Sequence, residues 1–291
     1  MRAGRGPDMT IRTLQRIIPS VLSSDGAGVK LRRSLGASQG LRHDPFLMLD
    51  EFGTDNPDDY IGGFPPHPHR GFETVTYMLD GHMQHKDHMG NTGDLGPGSV
   101  QWMTAGRGVI HSEMPRQTEG RMRGFQLWIN LPAKEKMKPA AYRDISAAEI
   151  PTAALENGGE AKVIAGTLEQ GAAQTRGPIQ GLSTEPLYFD VHLPPFGEFE
   201  APVPAGHNAF LYVYEGQAAI GDNPLPNRAA GLLTDGDRVQ LRAGQDGARL
   251  LLLAGKPLRE PMVQYGPFVM NTREEIEQAI ADYQAGTLTA P

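Results

Sequence analysis

Apolar and polar residues alternate along much of the chain, in short runs separated by segments rich in glycine and proline. In residues 123–130 every second side chain is a large apolar one, which is the period of a β-strand with one buried face. Residues 74–79 and 100–103 also have strand character, and Asp80-Gly81 between them is typical of a turn. The pattern therefore predicts an all-β chain of many short strands.

The clearest helical pattern lies near the C-terminus. Thr272 and Glu275, three residues apart, match a capping box. The apolar residues that follow recur at helical spacing, at Ile276, Ala279, Ile280 and Tyr283. Gly286 suits the residue that ends such a helix. We predict one amphipathic helix here, with an apolar face that docks on the strands.

Two short polar segments in the first half have the composition of a metal site. His67-Pro68-His69 and His111-Ser112-Glu113 each place two ligand-type side chains two residues apart. Because residues i and i+2 of a strand share one face, two facing strands would direct all four side chains at one point. Imidazole with carboxylate suits iron, zinc, copper, nickel or manganese, and open positions suit non-haem iron chemistry. The spacing predicts a transition-metal site formed by His67, His69, His111 and Glu113.

Other polar residues near these segments have more than one interpretation. Glu73 lies four residues after His69 and would point to the same face, so it is an alternative carboxylate ligand. His82, His85 and His88 follow a turn, and no apolar stripe accompanies them. We interpret these three histidines as loop residues near the mouth of a barrel.

Composition narrows the function classes. The 291-residue chain has no cysteine, which excludes disulfides, thiolate ligands and cysteine nucleophiles. Its net charge of −7 argues against a nucleic-acid-binding protein, whose footprint is basic. No apolar run reaches the length of about 18 residues that a membrane helix needs. Residues 1–8 lack the apolar core of a signal peptide, so we expect a disordered extension and a cytoplasmic protein.

Several longer motifs resemble the pirin family of cupins. These motifs are DGAGVKLRR (25–33), PHPHRGFETV (66–75), QWMTAGRG (101–108), HSEMP (111–115) and GPFVMN (266–271). The resemblance spans nearly the whole chain and implies two cupin-type, jelly-roll-like β-barrels with a C-terminal helix. It also implies one metal in the N-terminal barrel, usually iron, with ligands that match His67, His69, His111 and Glu113. Glu73 would then be a pocket residue that helps to orient the imidazoles.

The second half of the chain resembles a degraded copy of the first. Aligning Gly216 with Gly81 places Pro202 and Pro204 at the positions of His67 and His69, and Leu250 and Leu252 at those of His111 and Glu113. None of these replacements binds metal. We predict a metal-binding cupin domain over residues 9–143 and a metal-free cupin domain over residues 144–291, which includes the terminal helix.

The resemblance also implies a chemistry. Some bacterial pirins are similar to quercetin 2,3-dioxygenases, so we expect an oxidoreductase that acts on a flavonol or a related enol or phenol with dioxygen. The expected cofactor is one divalent metal, Fe(II) first, with Ni, Cu, Mn, Co or Zn as alternatives. Glu113 would take the substrate proton. The alternative is a non-enzymatic, redox-sensing iron protein that binds a transcriptional regulator or a metabolic enzyme.

Overall fold

Antiparallel strands dominate the computed structural model, which describes residues 10–156 and 158–290. The strands are β1 (Leu14–Pro19), β2 (Val21–Asp25), β3 (Val29–Arg33), β4 (Phe46–Thr54), β5 (Phe64–His69), β6 (Phe72–Asp80), β7 (Met83–Asp87), β8 (Thr92–Leu95), β9 (Val100–Thr104), β10 (Val109–Pro115), β11 (Met122–Asn130), β12 (Ala141–Ile145), β13 (Thr152–Ala154), β14 (Glu160–Ala165), β15 (Thr167–Gln170), β16 (Ala173–Arg176), β17 (Leu187–Leu193), β18 (Glu198–Pro202), β19 (Asn208–Ile220), β20 (Asn223–Leu225), β21 (Ala229–Leu233), β22 (Arg238–Gly255), β23 (Val263–Tyr265) and β24 (Phe268–Met270). One α-helix is present in the described part of the chain, α1 (Arg273–Gln284). The predicted all-β class with a C-terminal helix is confirmed, whereas the predicted extension at residues 1–8 lies outside the described residues.

One compact unit contains residues 20–149 and 258–290. It has a seven-stranded sheet in the order β12-β9-β6-β11-β4-β3-β2 and a four-stranded sheet in the order β5-β10-β7-β8. Phe52 and Met78 from the larger sheet join Met83 and Leu95 from the smaller one in a single buried apolar cluster. The two sheets therefore share one core, as in a jelly roll.

The other compact unit contains residues 10–19 and 150–257. Its strands run in the order β1-β21-β19-β22-β17-β14-β13, with β18 also paired to β22 and β20 to β19. A large cluster of buried aliphatic and aromatic side chains fills this unit, and Leu211, Leu250 and Leu252 are fully buried in it. The apolar filling predicted for the second barrel is present.

The predicted correspondence between the two halves needs a correction at its end. Leu250, in the second part of β22, pairs with Val213 of β19. In the other unit, β11 pairs in the same way with β6. The second part of β22 therefore corresponds to β11. The residue opposite Pro202 is Arg238, just as His111 lies opposite His67. Leu250 and Leu252 therefore do not occupy the positions of His111 and Glu113. Strand β22 spans 18 residues and pairs with β18 in its first part and with β17 in its second, so it takes the places of two strands of the other unit.

The termini join units other than those expected from their order in the chain. Strand β1, which we grouped with the first domain, pairs with β21 from Leu14 to Pro19 and belongs with residues 150–257. Helix α1, which we grouped with the second domain, belongs with residues 20–149. Backbone pairing decides the first placement and apolar packing the second. The local pattern of a terminal segment carries neither kind of information.

Helix α1 has the predicted ends, but only part of the predicted apolar face is covered, because Tyr283 is 42% exposed. The Thr272 hydroxyl accepts a hydrogen bond from the Glu275 N–H at 3.2 Å, and the Glu275 carboxylate accepts one from the Thr272 N–H at 2.9 Å. Ile276 and Ala279 are buried with residues of β24. In the described residues, no helix is both long enough and apolar enough to cross a membrane.

Candidate metal centre

Three histidines from two adjacent strands converge in the four-stranded sheet. Strand β10 pairs antiparallel with β5, and His111 lies directly opposite His67. The ring centroids of His67 and His69 are 4.7 Å apart, and that of His111 lies 4.4 Å from His67 and 5.0 Å from His69. One ring nitrogen from each residue can be chosen so that all three lie within 4.8 Å of one another. This geometry suits a single metal ion.

Burial keeps these imidazoles in the form that binds metal. His69 is 3% exposed and His111 is 2% exposed. Burial lowers the pKa of both rings well below the usual 6.5, and the neighbouring imidazoles lower each pKa further. A neutral ring keeps a lone pair on one nitrogen, so protons compete weakly with a metal for these two ligands near pH 7.

The hydrogen bonds of the three rings fit a metal ion. His67 Nδ1 donates to the Pro65 carbonyl at 2.8 Å, which places the lone pair of that ring on Nε2. His69 Nδ1 and His111 Nε2 are buried and have no hydrogen-bond partner among the described residues. A buried nitrogen without a partner is costly unless something else binds it. A cation at the centre of the three rings would satisfy both atoms.

Glu113 is a strand neighbour of His111, but its carboxylate oxygens are not among the ligand-type atoms that lie within 4.8 Å of one another. It follows His111 by two residues and is 2% exposed. Its Oε1 accepts a hydrogen bond from the Thr76 hydroxyl at 2.8 Å, and its Oε2 accepts one from Gln126 Nε2 at 3.3 Å. The strand register shifts between His111 and Glu113 on the side that faces β5. The assignment of Glu113 as the fourth ligand stays a prediction.

Glu73, the alternative carboxylate, is bound by other groups. Its Oε1 accepts a hydrogen bond from the Thr104 hydroxyl at 2.7 Å, and its Oε2 accepts one from Trp102 Nε1 at 3.2 Å. Burial raises the pKa of Glu73, and these two hydrogen bonds oppose that rise. Glu73 is absent from the histidine group. Its described hydrogen bonds hold strand β9 beside β6 rather than orient an imidazole.

The interpretation of His85 as a loop residue is wrong. His85 lies in β7, is fully buried, and pairs across the sheet with Glu113. Its Nδ1 lies 3.4 Å from His111 Nδ1. The signal that could have located it is the turn at Asp80-Gly81, because a turn after a strand predicts a returning strand with every second side chain inward. His82 and His88, by contrast, are exposed.

Buried cations fix the backbone that carries the ligands. Arg70, directly after His69, donates to Asp282 at 2.7 Å and to the Leu288 carbonyl at 3.1 Å. Lys136 Nζ donates to the carbonyls of Gly71 and Val269 at 2.7 and 2.9 Å. The segment after residue 258 therefore holds the end of strand β5 in place.

Comparison with known proteins assigns the family. Residues 28–129 match the pirin family model, and residues 188–289 match the model of the pirin C-terminal cupin domain. A Pseudomonas aeruginosa protein that carries the provisional name quercetin 2,3-dioxygenase is 57% identical over 270 residues, which are 91% of this chain and 94% of that protein. The chain belongs to the pirin family. Its two barrels are thus the two cupin domains of a pirin, and the histidine site lies in the domain that the first model matches.

Relatives of this pirin extend from bacteria to animals. Human pirin is 43% identical over 283 residues, which cover 93% of this chain and 92% of the human protein. A crystal structure of quercetin 2,3-dioxygenase from Acinetobacter baumannii superimposes with a TM-score of 0.87 at 34% identity, over 96% of this chain and 99% of that one. The similarity therefore covers both cupin domains and not the histidine segments alone.

Proposed function

We propose that this pirin is a metal-dependent dioxygenase that acts on a flavonol such as quercetin or on a related enol or phenol. The observation that carries the proposal is the convergence of His67, His69 and His111, two of which have buried ring nitrogens without a partner. The names of the Pseudomonas and Acinetobacter relatives support the substrate class. We further propose a cytoplasmic location, which the sequence predicts.

The donor set favours one divalent transition metal, and we propose Fe(II), with Ni, Cu, Mn, Co and Zn as alternatives. His67, His69 and His111 would hold the ion, and Glu113 is proposed as a fourth ligand. When bound, such an ion supplies Lewis-acid stabilisation of negative charge and, if redox-active, an electron for dioxygen. The chain has no cysteine and so no thiolate ligand, which agrees with a site of nitrogen and oxygen donors.

Glu113 is the proposed base for the substrate hydroxyl. Its carboxylate is buried beside the histidines and accepts hydrogen bonds from Thr76 and Gln126. These two neighbours fix the carboxylate in one orientation, which a base needs if the substrate proton is to reach it in line. Deprotonation makes the enol electron-rich and therefore reactive towards dioxygen. Exclusion of water by the buried ring cluster strengthens each of these electrostatic contacts.

The proposal is tested by loading the purified protein anaerobically with Fe(II), Ni(II) or Cu(II), and then adding oxygen and quercetin. We expect one metal per chain, loss of flavonol absorbance and matching uptake of oxygen. Glu113→Gln removes the proposed base, so we expect a drop in kcat of about 10²- to 10⁴-fold, the usual contribution of a positioned base. Glu119→Gln is the matched control, because Glu119 is exposed on the segment that follows β10.

The two parts of the proposal fail separately. A protein that binds one metal but leaves quercetin and related phenols unchanged in every metal form would refute the dioxygenase assignment. A protein whose metal content does not respond to His69→Ala would refute the metal site itself. If the protein binds one metal but shows no catalysis, capture of a protein partner in only one oxidation state of the metal would favour the redox-sensing alternative.

A further inference from the structure

His85 occupies a position that neither the metal site nor the proposed base explains. It is fully buried on β7, the strand that pairs with β10 on the side opposite β5. The His85 ring is tilted by 53° to the His111 ring, with centroids 5.1 Å apart, and the Tyr142 ring lies 5.1 Å away from it. His85 Nδ1 lies 3.4 Å from His111 Nδ1, within hydrogen-bond reach.

Only one of those two Nδ1 atoms can carry the hydrogen of this bond when both rings are neutral. Both rings are buried, and burial disfavours the charged imidazolium form. A neutral imidazole has one donor nitrogen and one acceptor nitrogen. The direction of this one hydrogen bond therefore decides which nitrogen of His111 keeps the lone pair.

The unpartnered nitrogen of His111 indicates the direction. His111 Nε2 is buried and has no hydrogen-bond partner in the described residues, and the same is true of His85 Nε2. A metal ion held by His67, His69 and His111 would need the lone pair of His111 on that nitrogen, which places the ring hydrogen of His111 on Nδ1. His85 Nδ1, 3.4 Å away, is then the acceptor of that hydrogen.

We infer that His85 is a positioning residue for the metal site, which accepts a hydrogen bond from His111 Nδ1 and thereby holds the lone pair of His111 on Nε2. His111 Nε2 is the buried nitrogen without a partner. His67 is held in the same tautomer by the Pro65 carbonyl, so two ligands have their orientation set by an acceptor behind the ring. The inference rests on the metal site of the proposed function and not on the identity of the substrate.

Two variants separate a positioning role from a packing role. His85→Leu fills the space but cannot accept a hydrogen bond. His85→Asn keeps an acceptor near the position of Nδ1, so it should restore what the leucine variant loses. Loss of an acceptor behind a metal-bound imidazole weakens metal affinity by about 10- to 100-fold in comparable sites, and we expect that range for His85→Leu with a smaller loss for His85→Asn.

The first readout needs no metal. In ¹⁵N-histidine-labelled, metal-free protein, the nitrogen shifts of His111 report which ring nitrogen carries the hydrogen. We expect a hydrogen on Nδ1 in the wild type and in His85→Asn, and a shift of the hydrogen towards Nε2 in His85→Leu. The second readout is the Zn(II) dissociation constant, measured by competition with a chromophoric chelator. Circular dichroism confirms that each variant is folded.

The inference and the metal site fail in different ways. If wild-type protein shows no chelator-competitive binding that His69→Ala abolishes, the metal site is refuted. If the wild type binds Zn(II) and His85→Leu binds it equally well, with the His111 hydrogen unmoved from Nδ1, the positioning role is refuted. Equal weakening by His85→Leu and His85→Asn with unchanged His111 shifts would also refute it, because packing alone would then account for the loss.

Discussion

Lys136 gives this protein an unusual dependence of stability on pH. Its side chain is 1% exposed, and Nζ donates to Asn130 Oδ1 at 2.6 Å as well as to two backbone carbonyls. Burial lowers the pKa of this ammonium group from 10.5 to about 8. The folded protein therefore releases the Lys136 proton at a lower pH than the unfolded chain does.

The sign and size of the effect follow from that difference. Between pH 8 and 10.5 the unfolded state binds more protons, so the free energy of unfolding rises with pH over this range. From pH 7 to pH 10 the gain is at most about 2.5 kcal/mol for a pKa that falls from 10.5 to about 8. The neutral amine has two hydrogens for three acceptors, so the hydrogen bond lost on deprotonation opposes the fall in the pKa of Lys136 and makes this gain an upper limit.

The assay is urea unfolding at several pH values from 7 to 10, for the wild type, Lys136→Met and Lys134→Met. Lys134 is exposed two residues away and has the same formal charge, so it controls for other groups that titrate in this range. We expect the wild type and Lys134→Met to gain stability with pH relative to Lys136→Met. If all three proteins show the same slope, Lys136 is protonated over this range in the fold and the reasoning from its burial is wrong.

Two further predictions test the histidine site and the ion pair between Arg70 and Asp282. His69→Ala should lower the metal content below one ion per chain without unfolding the protein, whereas His82→Ala, at an exposed histidine, should leave the metal content unchanged. Elemental analysis after gel filtration measures the metal content of both variants. Equal metal content in the two variants would contradict the proposed site. Asp282→Asn should cost about 1–2 kcal/mol at pH 7 in urea unfolding, less than a fully buried pair, because the Asp282 carboxylate is 24% exposed. The hydrogen bond from Arg70 lowers the pKa of Asp282, so the ion pair adds to the free energy of unfolding above the usual carboxyl pKa and loses this contribution as the pH falls. If Asp282→Asn lowers the free energy of unfolding by the same amount in acid, the ion pair is not the cause.

Short-range patterns predicted the parts of this fold that depend on neighbours in sequence. The strand at 123–130 is β11 (Met122–Asn130), and the capping box at Thr272 begins α1. The pairing of His67 with His111 also followed from period-two spacing once two facing strands were assumed. Each of these features is decided within a few residues, which is the range over which side-chain periodicity carries information.

Features that depend on distant partners were not predicted. Lys136 lies in a run of charged residues, a composition typical of an exposed loop, yet it is buried, and Val269, far along the chain, supplies one of its acceptors. His85 was assigned to a loop because its own surroundings in sequence are polar, but Tyr142 and His111 cover it. In both cases the apolar or polar partner comes from another strand, and local composition does not report it.

The C-terminal segment is part of the domain that carries the three histidines rather than an addition to it. Gly71 has φ +90°, and a side chain there would meet the Val269 carbonyl oxygen, so the backbone after His69 runs directly against β24. A side chain at Gly108 would meet the Leu288 carbonyl in the same way, three residues before His111. Residues beyond 258 thus shape the ends of β5 and β10, the two strands that carry the three histidines. A fragment that ends near residue 149 would remove the Asp282 and Leu288 acceptors of the buried Arg70 and the Val269 acceptor of the buried Lys136, and so we expect it to lose the histidine geometry as well as the helix.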